Sequence, residues 1–239
     1  MQGMQIIPRT VRTAALCTAL ALLGTLNASA AIPLAAISAQ EQGSALRTAL
    51  TQAAQVAVGK LGAADGFLGN PQVKIPLPGK LQKAEKLLKG MGFGQQTQDL
   101  VVAMNRAAEA AVPEAKPVLV DAIKKMSLQD VAGIVGGGDD AATQYFRRTT
   151  SAQLVERFTP IVRRTTAKVG VAAKYNEVAG KAAQLGLIDS QQATVESYVT
   201  QKMLDGLFLV MGQEEAAIRK DPLGQSSKLL QKVFGALKQ

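Results

Sequence analysis

Histidine and tryptophan are absent from the 239 residues of this chain, and cysteine occurs once, as Cys17. Without imidazole there is no His-based general base, no Ser-His or Cys-His nucleophile and no imidazole metal ligand. One thiol cannot form an internal disulfide. Aromatic residues amount to 4%, in a chain dominated by Ala, Leu, Gln, Lys and Val. That mixture favours helices and gives a sheet few of the side chains it packs with. The composition therefore implies an all-α protein, and 47% hydrophobic residues supply one sizeable core without requiring a second domain.

Long apolar runs are scarce as well. Arg9 and Arg12 precede an uncharged apolar run from Ala14 to Leu26, and Ala28-Ser29-Ala30 places small residues where a leader is cut. Residues 1–30 read as a cleaved secretory signal peptide. The run is shorter than the roughly 20 residues a membrane span needs, so no transmembrane span is expected. Cys17 follows Leu16 rather than a small residue, which argues against lipid attachment. The expected location is periplasmic, soluble after signal-peptide cleavage, and the exported chain would carry no thiol. Loss of Arg9 and Arg12 would lower the formal charge of +9 by two. The remaining positive charge suits an anionic envelope molecule better than nucleic acid, which export excludes as a partner.

Along the chain, 31–43 reads as a flexible mature N-terminus, and 44–239 as a single bundle-like domain of about eight helices. Ser44 is the expected N-cap of the first helix, whose Leu46, Leu50, Ala53, Ala57 and Leu61 share one face. Residues 64–78 form the one long non-helical segment, where Pro71, Pro76 and Pro78 exclude a central strand. The expectation is an extended or hairpin strap across the bundle. A short basic helix follows over 80–89, with Lys80, Lys83, Lys86 and Lys89 opposite Leu81, Ala84, Leu87 and Leu88. A membrane surface is one partner it could meet. A new helix is expected at Pro113, and Asp139 and Asp140 are expected to cap another that ends near Thr149, before a further one from Ser151.

Several runs resemble the exported bacterial family known as domain of unknown function 4197. They are Asp65-Gly66-Phe67-Leu68-Gly69-Asn70-Pro71, Val73-Lys74-Ile75-Pro76-Leu77-Pro78 and Ala103-Met104-Asn105-Arg106-Ala107-Ala108-Glu109, then the stretch from Gly137 to Arg147 and that from Thr200 to Phe208. The resemblance extends from about Ser44 to Leu237 and implies an exported helical protein with no assigned activity.

Asn105, Arg106 and Glu109 cut a polar seam into an otherwise apolar helix. If buried they must be paired, with Arg147 or Arg148 of a later helix as the expected partner in an interior polar network; the alternative for the seam is a ligand-lined cleft. Asp139, Asp140, Gln144, Tyr145, Arg147 and Arg148 form a second polar group, which reads as an aspartate cap with an intrahelical ion pair, or as a site where the two aspartates hold a divalent cation or Arg147 and Arg148 grip a carboxylate or phosphate. Asp65, Phe67 and Asn70 are the candidates in the strap. No catalytic residue, metal ligand or cofactor motif is assigned. The leading expectation is a non-catalytic periplasmic binding or structural protein, acting on an apolar or anionic envelope ligand or on a protein partner. The alternative is a metal-dependent or acid-base hydrolase using the carboxylates around Asp139 and Asp140.

Overall fold

The computed structural model describes residues 33–127, 131–187 and 194–238. The expected leader lies outside the described residues. All described residues belong to one unit, and they contain eight α-helices and no strand.

Helix α1 (Ala39–Leu61) starts five residues before the expected Ser44. Ser38 caps it, its hydroxyl accepting from the Glu41 amide at 3.2 Å while the Glu41 carboxylate takes the Ser38 N–H at 3.3 Å. This reciprocal pair satisfies two donors at the helix start. Ile37 is buried just before it, so the chain is already part of the fold where a flexible terminus was expected.

After the strap come α2 (Gly79–Leu88), a π-helical turn (Lys89–Phe93) and α3 (Gly94–Lys125). Pro113 and Pro117 lie inside α3 instead of dividing it. A proline within a helix costs about 3 kcal/mol. Burial of Ala111, Val112, Leu119 and Ile123 on both sides of the two prolines offsets that cost. Helix α4 (Val131–Val135) precedes α5 (Ala141–Lys168), which also runs unbroken through the expected end at Thr149. There Thr149 and Thr150 donate to the carbonyls of Tyr145 and Phe146, one turn back. Their hydroxyls thus find partners without leaving the helix.

Helices α6 (Val171–Gln184), α7 (Val195–Lys220) and α8 (Lys228–Gly235) complete the chain. Both α3 and α7 pack against α1 and α5, which sets the four long helices in a square with α1 and α5 at opposite corners. Helix α8 lies on α1, α4 on α1 and α5, and α6 on α3. Leu46, Leu50, Met104, Phe146, Phe158 and Met211 fill the centre and are fully buried.

The strap crosses this square between α3 and α7. Phe67, Ile75 and Leu77 are fully buried along it. Gly206 of α7 makes room for the first of them: a Cβ there would stand 2.9 Å from Phe67 Cε1. Among the described residues no strand pairs with the strap, so its backbone groups need side-chain partners.

Candidate functional site

Helix α3 supplies those partners. Asn105 Oδ1 accepts from the Ile75 amide at 2.8 Å, and Asn105 Nδ2 donates to the Ile75 carbonyl at 2.9 Å. One buried side chain thus replaces a pair of ladder bonds. One turn on, Glu109 Oε1 accepts from the amides of Phe67 and Leu68 at 3.1 and 3.0 Å. Arg106 Nη1 donates to Glu109 Oε2 at 2.6 Å, and Arg106 Nη2 to Asp65 Oδ1 at 2.8 Å. Hydrogen bonds to Glu109 first and Asp65 second hold the Arg106 guanidinium above its ordinary pKa. Asp65 has a left-handed backbone, φ 63°, which aspartate tolerates better than most residues. The far end of the strap is held from α7, where the Tyr198 hydroxyl donates to the Pro76 carbonyl at 3.1 Å. Burial pushes the Tyr198 phenol upward from its ordinary pKa. Asn70 stays local, its side chain accepting from the Gln72 amide at 3.1 Å.

The polar seam of α3 therefore faces the strap, and the expected pairing with Arg147 or Arg148 is not made. Arg147 donates to Asp205 of α7 at 2.7 Å and lies 5.6 Å from the Phe208 ring centre. Arg148 lies over the Tyr145 ring, whose hydroxyl donates to the Ser127 carbonyl at 2.8 Å. The reason is geometric. The α3 seam meets the loop that crosses it, whereas Arg147 points across to α7.

A second clasp was not legible among the candidates. Glu215 of α7 is fully buried and accepts from the Ala142 amide at 3.0 Å and from the Thr143 amide and hydroxyl, each at 2.7 Å. It therefore fills the N-terminus of α5, the task expected of Asp139 and Asp140. Asp140 occupies the N-cap position without a capping bond and accepts from Gln144 at 2.8 Å instead. Arg219, one turn from Glu215, pairs with it at 2.8 Å and donates to the carbonyls of Val135 and Ile134 at 2.8 and 3.1 Å. The two side chains thus satisfy both helix ends flanking the Gly136-Gly137-Gly138 turn. A signal was present: Leu204, Leu207, Met211, Glu215 and Ile218 share the apolar face of α7.

Two clefts open to solvent border residues of the second polar group. Asp139, Asp140, Gln144, Arg147 and Phe208 line a cleft of about 300 Å³. Two aspartates face it beside one arginine already paired with a third, so its charge does not favour an anion. Among the described residues no three acidic, Cys or His side chains gather as metal ligands. Glu109 of α3 is turned to the strap and does not join Asp139 and Asp140. A second cleft of about 240 Å³ lies between α3 and α5, bordered by Asp121, Tyr145 and Arg157. The Lys125 hydrogen bond, and next among the lowering causes that of Arg157, holds the Asp121 carboxyl below its ordinary range. Among the described residues no helix is long and apolar enough to cross a membrane.

A family model described as "Protein of unknown function (DUF4197)" matches residues 36–235. No curated protein and no solved structure matches the chain.

Proposed function

The chain belongs to the DUF4197 family of proteins of unknown function, and on that premise, which brings no mechanism with it, we propose an exported, non-catalytic binding or structural module of the cell envelope. The observation that carries this reading is the saturation of the buried acids. Glu109 and Glu215 are the buried carboxylates among the described residues. Each has both oxygens occupied by backbone amides, a hydroxyl or an arginine of the same chain. A general acid or base must reach a substrate proton directly or through one water, and these carboxylates face inward to the strap and to a helix end. Recognition is thereby left to the outer surface, and the leader-like pattern of residues 9–30 in the sequence supports a periplasmic setting for it. The hydrolase reading keeps one supporting feature, the exposure of Asp139 beside Asp140 at the 300 Å³ cleft.

Native mass spectrometry of protein recovered from the periplasmic extract tests the choice. The expected spectrum shows a non-covalently retained envelope molecule or protein, and Asp139→Asn with Asp140→Asn leaves it unchanged. A retained divalent metal, together with ester or phosphoester hydrolysis that the same double substitution abolishes, would contradict the proposal.

A further inference from the structure

We propose that the tip formed by α2 and the following π-helical turn docks on an anionic phospholipid surface, an inference that rests on the binding-module reading above and names its partner. Helix α2 buries Leu81, Ala84 and Leu88 against the bundle, which turns Lys83, Lys86 and Lys89 outward, all three exposed. Leu87 and Met91 are 57% and 53% exposed on this same tip. Four lysines stand against one glutamate between Gly79 and Phe93, and that glutamate, Glu85, is held by Lys89 at 2.7 Å.

The surroundings separate this pair from the other exposed apolar side chains. Leu223 lies in the turn before α8, and Leu209 borders the aspartate-lined cleft. Leu87 and Met91 are neighbours one turn apart, set among cations. Gly92 adopts a left-handed conformation, φ 91°, with nothing within 4 Å of where a Cβ would stand, and Gly90 faces open space as well. The turn therefore projects Met91 from a stretch of backbone that carries no bulky neighbour on either side. Helix α6, packed beside α2, extends the same chemistry: Lys181 lies 5.9 Å from the Phe93 ring centre, and Leu185, one turn on, is 39% exposed.

A flat anionic bilayer fits this arrangement. Lysine stems lie along apolar surface while their ammonium groups reach the phosphates, and Leu87 and Met91 enter the boundary between headgroups and acyl chains. An acidic protein would use the lysines as well, but it would bind with no lipid present. The contact is peripheral and reversible, and it would hold the strap side of the bundle near the membrane.

Sedimentation of the protein, purified from the periplasmic extract, with vesicles of phosphatidylglycerol and phosphatidylethanolamine provides the test, with phosphatidylcholine vesicles as the comparison. Binding is expected to the anionic vesicles alone and to weaken at high salt. A lysine near an anionic surface contributes about five-fold in partitioning, so Lys83→Gln with Lys86→Gln should lower it roughly 25-fold. Leu87→Gln with Met91→Gln should lower it by about ten-fold or more. All four positions are exposed, and an unchanged thermal melt shows that the variants remain folded. Equal binding to phosphatidylcholine, no binding to either vesicle, or indifference to both double substitutions would overturn the docking proposal. If vesicles fail while native mass spectrometry finds another envelope partner, the docking inference falls and the binding-module reading survives.

Discussion

Glu215→Gln lowers the melting temperature by roughly 10 °C, the largest effect expected from a single polar substitution in this chain. Both carboxylate oxygens of Glu215 accept from fixed donors: Oε1 from the Ala142 amide and Arg219, and Oε2 from the Thr143 amide and hydroxyl. An amide NH2 in either place would face a donor. The substitution also leaves the Arg219 side chain, 8% exposed, without its counter-charge. Removing one partner of a buried ion pair costs about 3–5 kcal/mol, and about 2–4 °C accompanies each kcal/mol in a domain of this size. Glu214, the preceding residue, pairs with Lys60 at the surface. Such surface pairs contribute little, so Glu214→Gln should move the melt by no more than about 2 °C. Adding Arg219→Met to Glu215→Gln should recover part of the loss, because the unpaired buried cation is gone. Differential scanning calorimetry of these three variants beside the natural protein reads all of these outcomes.

The second large effect is at the strap. Glu109→Gln is expected to cost about 2–3 kcal/mol, since charge-assisted hydrogen bonds contribute about 1.5–3 kcal/mol, and to lower the melt by roughly 5–10 °C. If the new amide keeps its oxygen toward the Phe67 and Leu68 amides, its NH2 group meets the Arg106 guanidinium. Reversing it sets NH2 against two backbone N–H groups. Asn105→Ala is expected to cost a similar amount, because it strands the buried amide and carbonyl of Ile75. An unchanged melt in both variants would remove the structural role assigned to the seam.

The sequence made the helical class, the strap and the polar seam of α3 legible, each for a definite physical reason. Missing imidazole and scarce aromatics narrowed the chemistry and the fold class, and three prolines marked the strap. Asn105 and Glu109 were conspicuous as polar residues one turn apart in apolar surroundings. Their partners were not legible, because the backbone groups of a crossing loop carry no side-chain signature. Ser38 with Glu41 was a readable capping box, but the small polar residues around it resemble a loose terminus. Pro113 looked like a helix start because local rules weigh the missing N–H and not the burial on either side. Glu215 was hidden by Glu214: adjacent acids look alike until helical phase assigns one to the core and the other to water. Asp139 and Asp140 drew attention as caps for the converse reason, since the residue that fills the α5 end arrives from a helix about seventy positions away in the chain.

Exchange of the Phe67 and Leu68 amides with deuterated solvent, followed residue by residue, addresses the claim that the buried acid of α3 holds the strap. In the natural protein these two amides should exchange as slowly as amides in the long helices. Glu109→Gln should speed them by about 30-fold or more, in line with about 2 kcal/mol, while amides in the middle of α1 lose less protection. Rapid exchange at Phe67 and Leu68 in the natural protein, or rates indifferent to Glu109→Gln, would contradict the account.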